Sequence, residues 1–199
     1  MNTRDKILDA AETIFVSRGF SGSSMKSIAA TAHVAKSLLY HYFDSKRDLW
    51  DEVIHRRVSQ ARLPEKMVET VSSIVSDGLE AIRKEKKHTT YFEFLRDNQQ
   101  FVRMLAWLNA ERVFPQDAPL EMREEVIRKL GILQKKGIFR NDIDPRMFVV
   151  TFMAICEMWF MSRDRISAWL GEDMSKEEMS EKYIDAAGKI LLDGMAVKS

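Results

Sequence analysis

The chain has 199 residues, 45% of them hydrophobic and 31% charged, with four prolines, eight glycines and one cysteine. Such a composition is that of a globular protein with ample core material, and it excludes long low-complexity segments. The lone Cys156 excludes an intramolecular disulfide and a multi-cysteine zinc site and fits a reducing compartment, while a net charge of +1 excludes a uniformly basic or acidic chain.

In chain order every expected element is a helix. Ile7, Leu8, Ala11, Ile14 and Phe15 recur at three- and four-residue spacing, which predicts a first helix from Thr3 to about Arg18, ended by Gly19. The polar turn FSGSS follows, with Ser24 as the N-cap of a second helix from Met25 to about Ala32. After a short break at residues 33–35, a third helix runs from about Lys36 to Phe43, and Asp44 or Ser45 caps a fourth from Lys46 to about Arg62. Longer helices are expected over Pro64–Lys86, Thr89–Asp97, Gln99–Phe114, Leu120–Lys136, Pro145–Leu170 and Lys176–Met195. Breaks fall at Pro115, Pro119, Gly137 and Gly171. The expected fold is all-α, with a compact head of short helices and a body of long ones.

The N-terminus lacks the apolar stretch of a signal peptide, and the most apolar run, residues 148–161, is too short to span a bilayer and carries Glu157. A cytoplasmic protein without a membrane partner is expected. Charge is unevenly spread. Between Arg18 and Arg47 five bases face one acid, Asp44, so this window is +4 and the remainder of the chain sums to −3. A locally basic head suggests an anionic partner.

The second and third helices, joined by a very short turn, have the spacing of a helix-turn-helix, whose second helix lies in the DNA major groove. Leu39 and Phe43 share one face and are expected to pack on Ile28, Ala29, Leu8 and Phe15. Lys36, Ser37, Tyr40 and His41 then face outward, where their donors suit phosphate oxygens and base edges. Lys46 adds its charge at the start of the fourth helix, beside amides that favour an anion.

Residues 7–50 resemble the DNA-binding head of the tetracycline-repressor (TetR) family of bacterial regulators. The resemblance is carried by ILDAAETIFVSRGF, by MKSIAATAHVAKSLLYHYF and by DSKRDLW, above all by Tyr40, Phe43 and Lys46 at their spacing. In the body, KKGIFRNDIDPRMF and ILLDGM are similar to the family's run into its last two helices. His33 departs from the glycine usual in the turn, and Leu38 puts an apolar side chain on the outward face, where it could meet a thymine methyl group.

The resemblance implies a three-helix DNA-binding head, residues 1–46, and a ligand-binding and dimerisation body, residues 47–199. It further implies a regulator, by default a repressor, that binds a near-palindromic operator as a homodimer through its last two helices and is released by a small effector. Tyr40, Tyr42 and Lys46 would hold phosphates, helped by Ser24 and Lys26, while Lys36, Ser37 and His41 would read bases. Packing of Tyr42 on the fourth helix and plain solvation of His41 are the alternatives.

The body's large adaptable side chains, Tyr91 among them, suit an apolar or aromatic effector. Phe92, Met104, Trp107, Met153, Glu157 and Phe160 are the candidate lining, although each serves equally as core. Glu157 interrupts an apolar helix, and a buried carboxylate needs a partner. Glu157 either pairs with Arg103, Arg112 or Arg163 or stays solvated, or else it anchors a cationic or hydrogen-bond-donating effector; Asn109 and Glu111 are weaker anchors of the same kind.

Two other classes compete. Glu52 and His55 have the Glu-x-x-His spacing of di-iron bundles, but only one copy occurs, and no phosphate-binding glycine loop, nucleophile elbow or HExxH is found. No enzyme activity and no cofactor are therefore expected. A helical module that binds protein is the second rival, against which the basic window and the outward tyrosines argue.

Overall fold

The computed structural model describes residues 2–84, 89–115 and 120–196, without the side chains at 79–84 and 120–123. Its helices are α1 (Thr3–Arg18), α2 (Met25–Thr31), α3 (Lys36–Tyr42), α4 (Lys46–Gln60), α5 (Leu63–Lys84), α6 (Thr90–Asp97), α7 (Gln99–Glu111), α8 (Leu120–Lys135), α9 (Pro145–Leu170) and α10 (Glu177–Met195). Most ends fall within about one or two residues of expectation. The ends expected at Lys86 and Pro119 lie outside the described residues.

Side-chain caps explain several starts. Asn2 Oδ1 accepts from Asp5 N, Asp144 Oδ1 accepts from Arg146 N, and Ser24 and Ser27 form a reciprocal capping box at α2. Of the two candidates before α4, Ser45 is the cap, its Oγ accepting from Asp48 N at 3.0 Å. Each such cap contributes about 1 kcal/mol.

Two expectations need correction. The helix expected to run unbroken from Pro64 is interrupted at Gly78, where φ 81° and ψ 175° leave helical space. A residue without Cβ adopts that conformation at little cost. The helix expected to reach Phe114 stops at Glu111, because Arg112 turns left-handed at φ 55°.

The chain divides into two compact units, Met1–Ala61 with Asn98–Ala118, and Arg62–Asp97 with Pro119–Ser199. The first holds α1–α4 and α7, so α7, expected among the body helices, packs with the head. Leu8, Phe15, Ile28, Leu39 and Trp50 are fully buried there. Trp50 meets Phe15 edge-on at 4.8 Å and Phe20 at 5.6 Å. Burying such side chains is worth roughly 1.5–3 kcal/mol each.

One buried carboxylate also belongs to this unit. Glu12 of α1, 5% exposed, bonds Arg56 and Arg57 of α4, and Arg56 reaches Asp9 as well. Paired in this way the charge is tolerable inside, whereas alone it would not be.

In the second unit α5 packs along α8 around Ile74, Val126, Leu130, Leu133, Phe139 and Met195. Arg140 N donates to Met195 O at 2.8 Å and ties the α8–α9 connection to the end of α10. Trp159 of α9 stacks on Tyr183 of α10 at 4.3 Å and donates to Ser180 Oγ, while Tyr183 Oη donates to Ile155 O. Among the described residues no helix is long and apolar enough to cross a membrane.

Candidate functional site

The turn between α2 and α3 is closed by His33 N and Val34 N, which donate to Ala30 O and Ala29 O. Closing it requires a left-handed residue, and His33 adopts φ 55°. α3 then emerges with Leu39 fully buried and Phe43, just past its end, 2% exposed. Across the helix from them Lys36, Ser37, Leu38, Tyr40, His41 and Tyr42 are all exposed, as are Ser24 and Lys26 at the start of α2. The structure thus brings seven of the eight expected DNA-contacting residues to the surface of two adjacent helices. Tyr42 is not packed away, and His41 meets its ring edge-on at 5.4 Å. Lys36 Nζ stands 5.6 Å from the Tyr40 ring centre, so the charge and the phenol form one patch.

Lys46, the eighth, is placed differently. Its ammonium donates to Phe20 O at 2.7 Å and Ser23 O at 3.0 Å, 4.2 Å from the Phe20 ring centre. Two of its three donors therefore hold the α1–α2 loop. Ser24 is similarly engaged, since its hydroxyl and amide close the capping box.

In the second unit an apolar cavity of about 80 Å³ lies between α5, α6, α8, α9 and α10, walled chiefly by Met67, Ile74, Leu130, Phe148, Phe152 and Leu192. Its polar edge consists of Thr70, Thr90 and Tyr91. The two threonine hydroxyls lie 3.2 Å apart, Thr70 Oγ1 bonds Lys66 O, and Tyr91 Oη donates to Glu157 Oε1 at 2.7 Å. Burial first, then the charge and hydrogen bond of Glu157, push the Tyr91 phenol well above its ordinary range. The neighbouring Cys156 thiol is pushed up to about 12 by burial and by Glu157.

The six residues expected to line an effector site are not assembled there. Phe92 and Phe160 pack on one another at 4.7 Å, and Glu157 reaches the cavity only through Tyr91. Met153 is half-buried on α9 outside the wall. Met104 and Trp107 lie on α7 in the other unit, where Met104 is fully buried and Trp107 Nε1 donates to Val16 O. The arginine partners expected for Glu157 give way to Tyr91.

The family model described as bacterial regulatory proteins, tetR family, matches residues 7–53, and a tetracyclin repressor-like C-terminal domain model matches residues 79–190. The chain belongs to the TetR family. It is similar to the HTH-type transcriptional repressor NicS of Pseudomonas putida, 23% identical over 97% of this chain and 92% of that protein. It is similar also to the HTH-type transcriptional repressor KstR2 of Rhodococcus jostii, 24% identical over 97% and 91%. A TetR family transcription regulator from Marinobacter aquaeolei VT8 shares the fold with a TM-score of 0.71 at 15% identity, covering 98% of this chain and 96% of that one.

In this TetR-family chain sequence reasoning missed Thr70 and Thr90 at the edge of the cavity, counted Tyr91 only among the body's large side chains, and took Glu111 for a weaker effector anchor and not for a partner of the head. Glu111 Oε2 accepts from both the amide (2.8 Å) and the hydroxyl (3.0 Å) of Ser21. No local signal marks these contacts, which join residues up to 90 positions apart. The Glu-x-x-His pair is separated in chemistry: Glu52 pairs with Arg4 at 2.7 Å, and among the described residues no group of three His, Cys, Asp or Glu is placed to hold a metal.

Proposed function

We propose that this protein is a transcriptional repressor of the bacterial cytoplasm, without enzymatic activity, that binds a near-palindromic operator as a homodimer. A small, uncharged and largely apolar effector releases it. The single observation that carries this reading is α3: a short helix whose apolar side is fully buried and whose other side offers Lys36, Ser37, Tyr40 and His41, in a chain of the TetR family.

In this reading residues 1–46 bind DNA. Tyr40, Tyr42 and Lys26 donate to phosphates and set the register, with Ser24 holding the start of α2 in place and Lys46 contributing its charge, while Lys36, Ser37 and His41 reach base edges and Leu38 meets a thymine methyl. Residues 47–199 bind the effector and the second copy. One recognition helix covers few base pairs, so two heads about 34–36 Å apart, or a multiple of that, are needed for useful specificity. α9 presents Met147, Val150, Ala154, Met158 and Trp169 on one exposed stripe, and α10 presents Ile190 at 72% exposure. A stripe of that kind supports a helical partner as its cover, and the second copy's last two helices would supply it.

The cavity supports the effector's chemistry. Among the described residues no charged side chain lines it, and an ion would lose its hydration there without a counter-charge. An effector releases DNA only to the extent that it prefers the conformation whose heads are badly spaced, so operator and effector oppose each other reciprocally.

The test is titration of labelled duplex DNA at several salt concentrations. The reading predicts that log affinity falls steeply with log salt, by about 0.9 per neutralised phosphate, and that Lys36→Ala and Tyr40→Ala each weaken binding. Affinity independent of salt, or unaffected by both substitutions, would point instead to a protein-binding helical module.

A further inference from the structure

Although α7 follows α6 in sequence, both of its ends are fastened to the head. At its start Gln100 Oε1 accepts from Arg57 Nη2 at 2.8 Å, and the same guanidinium bonds the buried Glu12 of α1. Toward its end Trp107 Nε1 donates to Val16 O, and beyond it Val113 O accepts from Trp50 Nε1. At its last residue Glu111 takes both donors of Ser21. The approach is so close that a Cβ at Gly19 would collide with the Glu111 carboxylate and the Trp107 ring. Arg112, immediately after, is held left-handed at φ 55°, a conformation costing a non-glycine residue roughly 1–2 kcal/mol and kept where the surroundings over-determine it.

Ser21 lies in the α1–α2 loop, and that loop is gripped from the other side as well. Its Phe20 and Ser23 carbonyls accept from Lys46 Nζ. Glu111, the loop and Lys46 form one chain of hydrogen bonds from α7 to the start of α4, with the start of α2 between them. We infer that Glu111 is a positioning residue for operator binding: by fixing Ser21 it sets the loop carbonyls that hold Lys46, and with them the place of Lys26 relative to α3. The inference rests on the repressor reading above. Phosphate contacts fix register only when their donors keep a set spacing, and without Glu111 Ser21 loses both of its hydrogen bonds to α7.

The experiment uses the full chain and a labelled duplex carrying the palindrome that wild type selects from random-sequence DNA. Affinity is measured across a potassium chloride series, and melting temperature in parallel, for Glu111→Ala, Glu111→Gln and Ser21→Ala. Glu111→Ala is expected to weaken binding about tenfold, the worth of a charge-assisted hydrogen bond. Its salt slope should shrink by about 0.9 for each phosphate that is no longer neutralised. Glu111→Gln keeps an acceptor oxygen and should stay within about threefold of wild type.

A folded Glu111→Ala with wild-type affinity and slope overturns the inference, as does an affinity loss with unchanged slope that merely follows the unfolded fraction. Should Glu111→Ala fail to fold, Ser21→Ala, which removes one of the two bonds, decides: a wild-type slope and affinity there overturn it equally. Failure of wild type to select any sequence would instead sink the repressor reading, so the two failures are distinct.

Discussion

His33 closes the α2–α3 turn of the head in a left-handed conformation, where the family usually has glycine. A histidine there is strained by roughly 1–2 kcal/mol, part of which the stiffer unfolded chain offsets. His33→Gly should therefore raise stability by about 0.5–1 kcal/mol, seen as a melting temperature higher by ~1–4 °C, with operator affinity retained. The exposed phenol of Tyr40 allows a different prediction. Tyr40→Phe should leave the melting temperature unchanged yet weaken DNA binding about three- to tenfold, the loss of one hydrogen bond to a phosphate, as read by anisotropy. The outward and inward residues of α3 were legible because Leu39 and Phe43 are one helical turn apart in the sequence. Lys46 was legible only as a charge at a helix start. That it spends two donors on Phe20 and Ser23 depends on residues over twenty positions away, which no local pattern reports.

Among the elements, α9 and α10 were readable to within a residue because Asp144-Pro145 and Gly171 punctuate a strongly apolar run. α7 was readable as a helix but not as part of the head, since its apolar residues carry no record of the element they face. Trp107 and Met104 look as much like effector lining as like core until Val16 and the rest of α1 are seen against α7. The same limit hid the edge of the cavity, where Tyr91 on α6 meets Glu157 on α9.

That meeting has a pH consequence. Both Tyr91 and Cys156 have folded pKa values raised above ordinary, and an acid so shifted stays neutral in the folded state while its unfolded counterpart ionises. The contribution of Cys156 is fully present below the ordinary thiol value of 9.0 and is lost as pH rises toward about 12, while that of Tyr91 begins to fall only above the ordinary phenol value of 10.0. The urea midpoint should accordingly fall as pH climbs above about 9. Native Cys156 should also resist a thiol alkylating reagent near neutral pH, reacting only after denaturant is added. Labelling of the native protein as fast as of the unfolded chain would contradict the assignment.

For the whole molecule, the proposed assembly makes DNA reading depend on a surface far along the sequence from the head. Ile190→Glu puts a charge on the exposed stripe of the last two helices without touching the buried Ile184, Ala187 or Leu192. It is expected to shift the sedimentation coefficient from dimer to monomer and to lower operator affinity at least tenfold, while the melting curve stays cooperative. The general architecture of head and body was legible from residues 7–50 and from the long apolar helices. The effector was not, because the walls of the cavity come from five helices whose neighbours in space are strangers in sequence.

The central claim is that two copies of α3 read a repeated DNA site, and it is tested most directly by selection. Random-sequence fragments would be enriched on wild type and, in parallel, on Tyr40→Ala. The account predicts that wild type alone enriches two inverted copies of one motif, centred one helical turn or a multiple of it apart, about 34–36 Å per turn. Enrichment of a single unrepeated motif would contradict the dimeric reading, and no enrichment at low salt would contradict the claim that this face binds DNA at all.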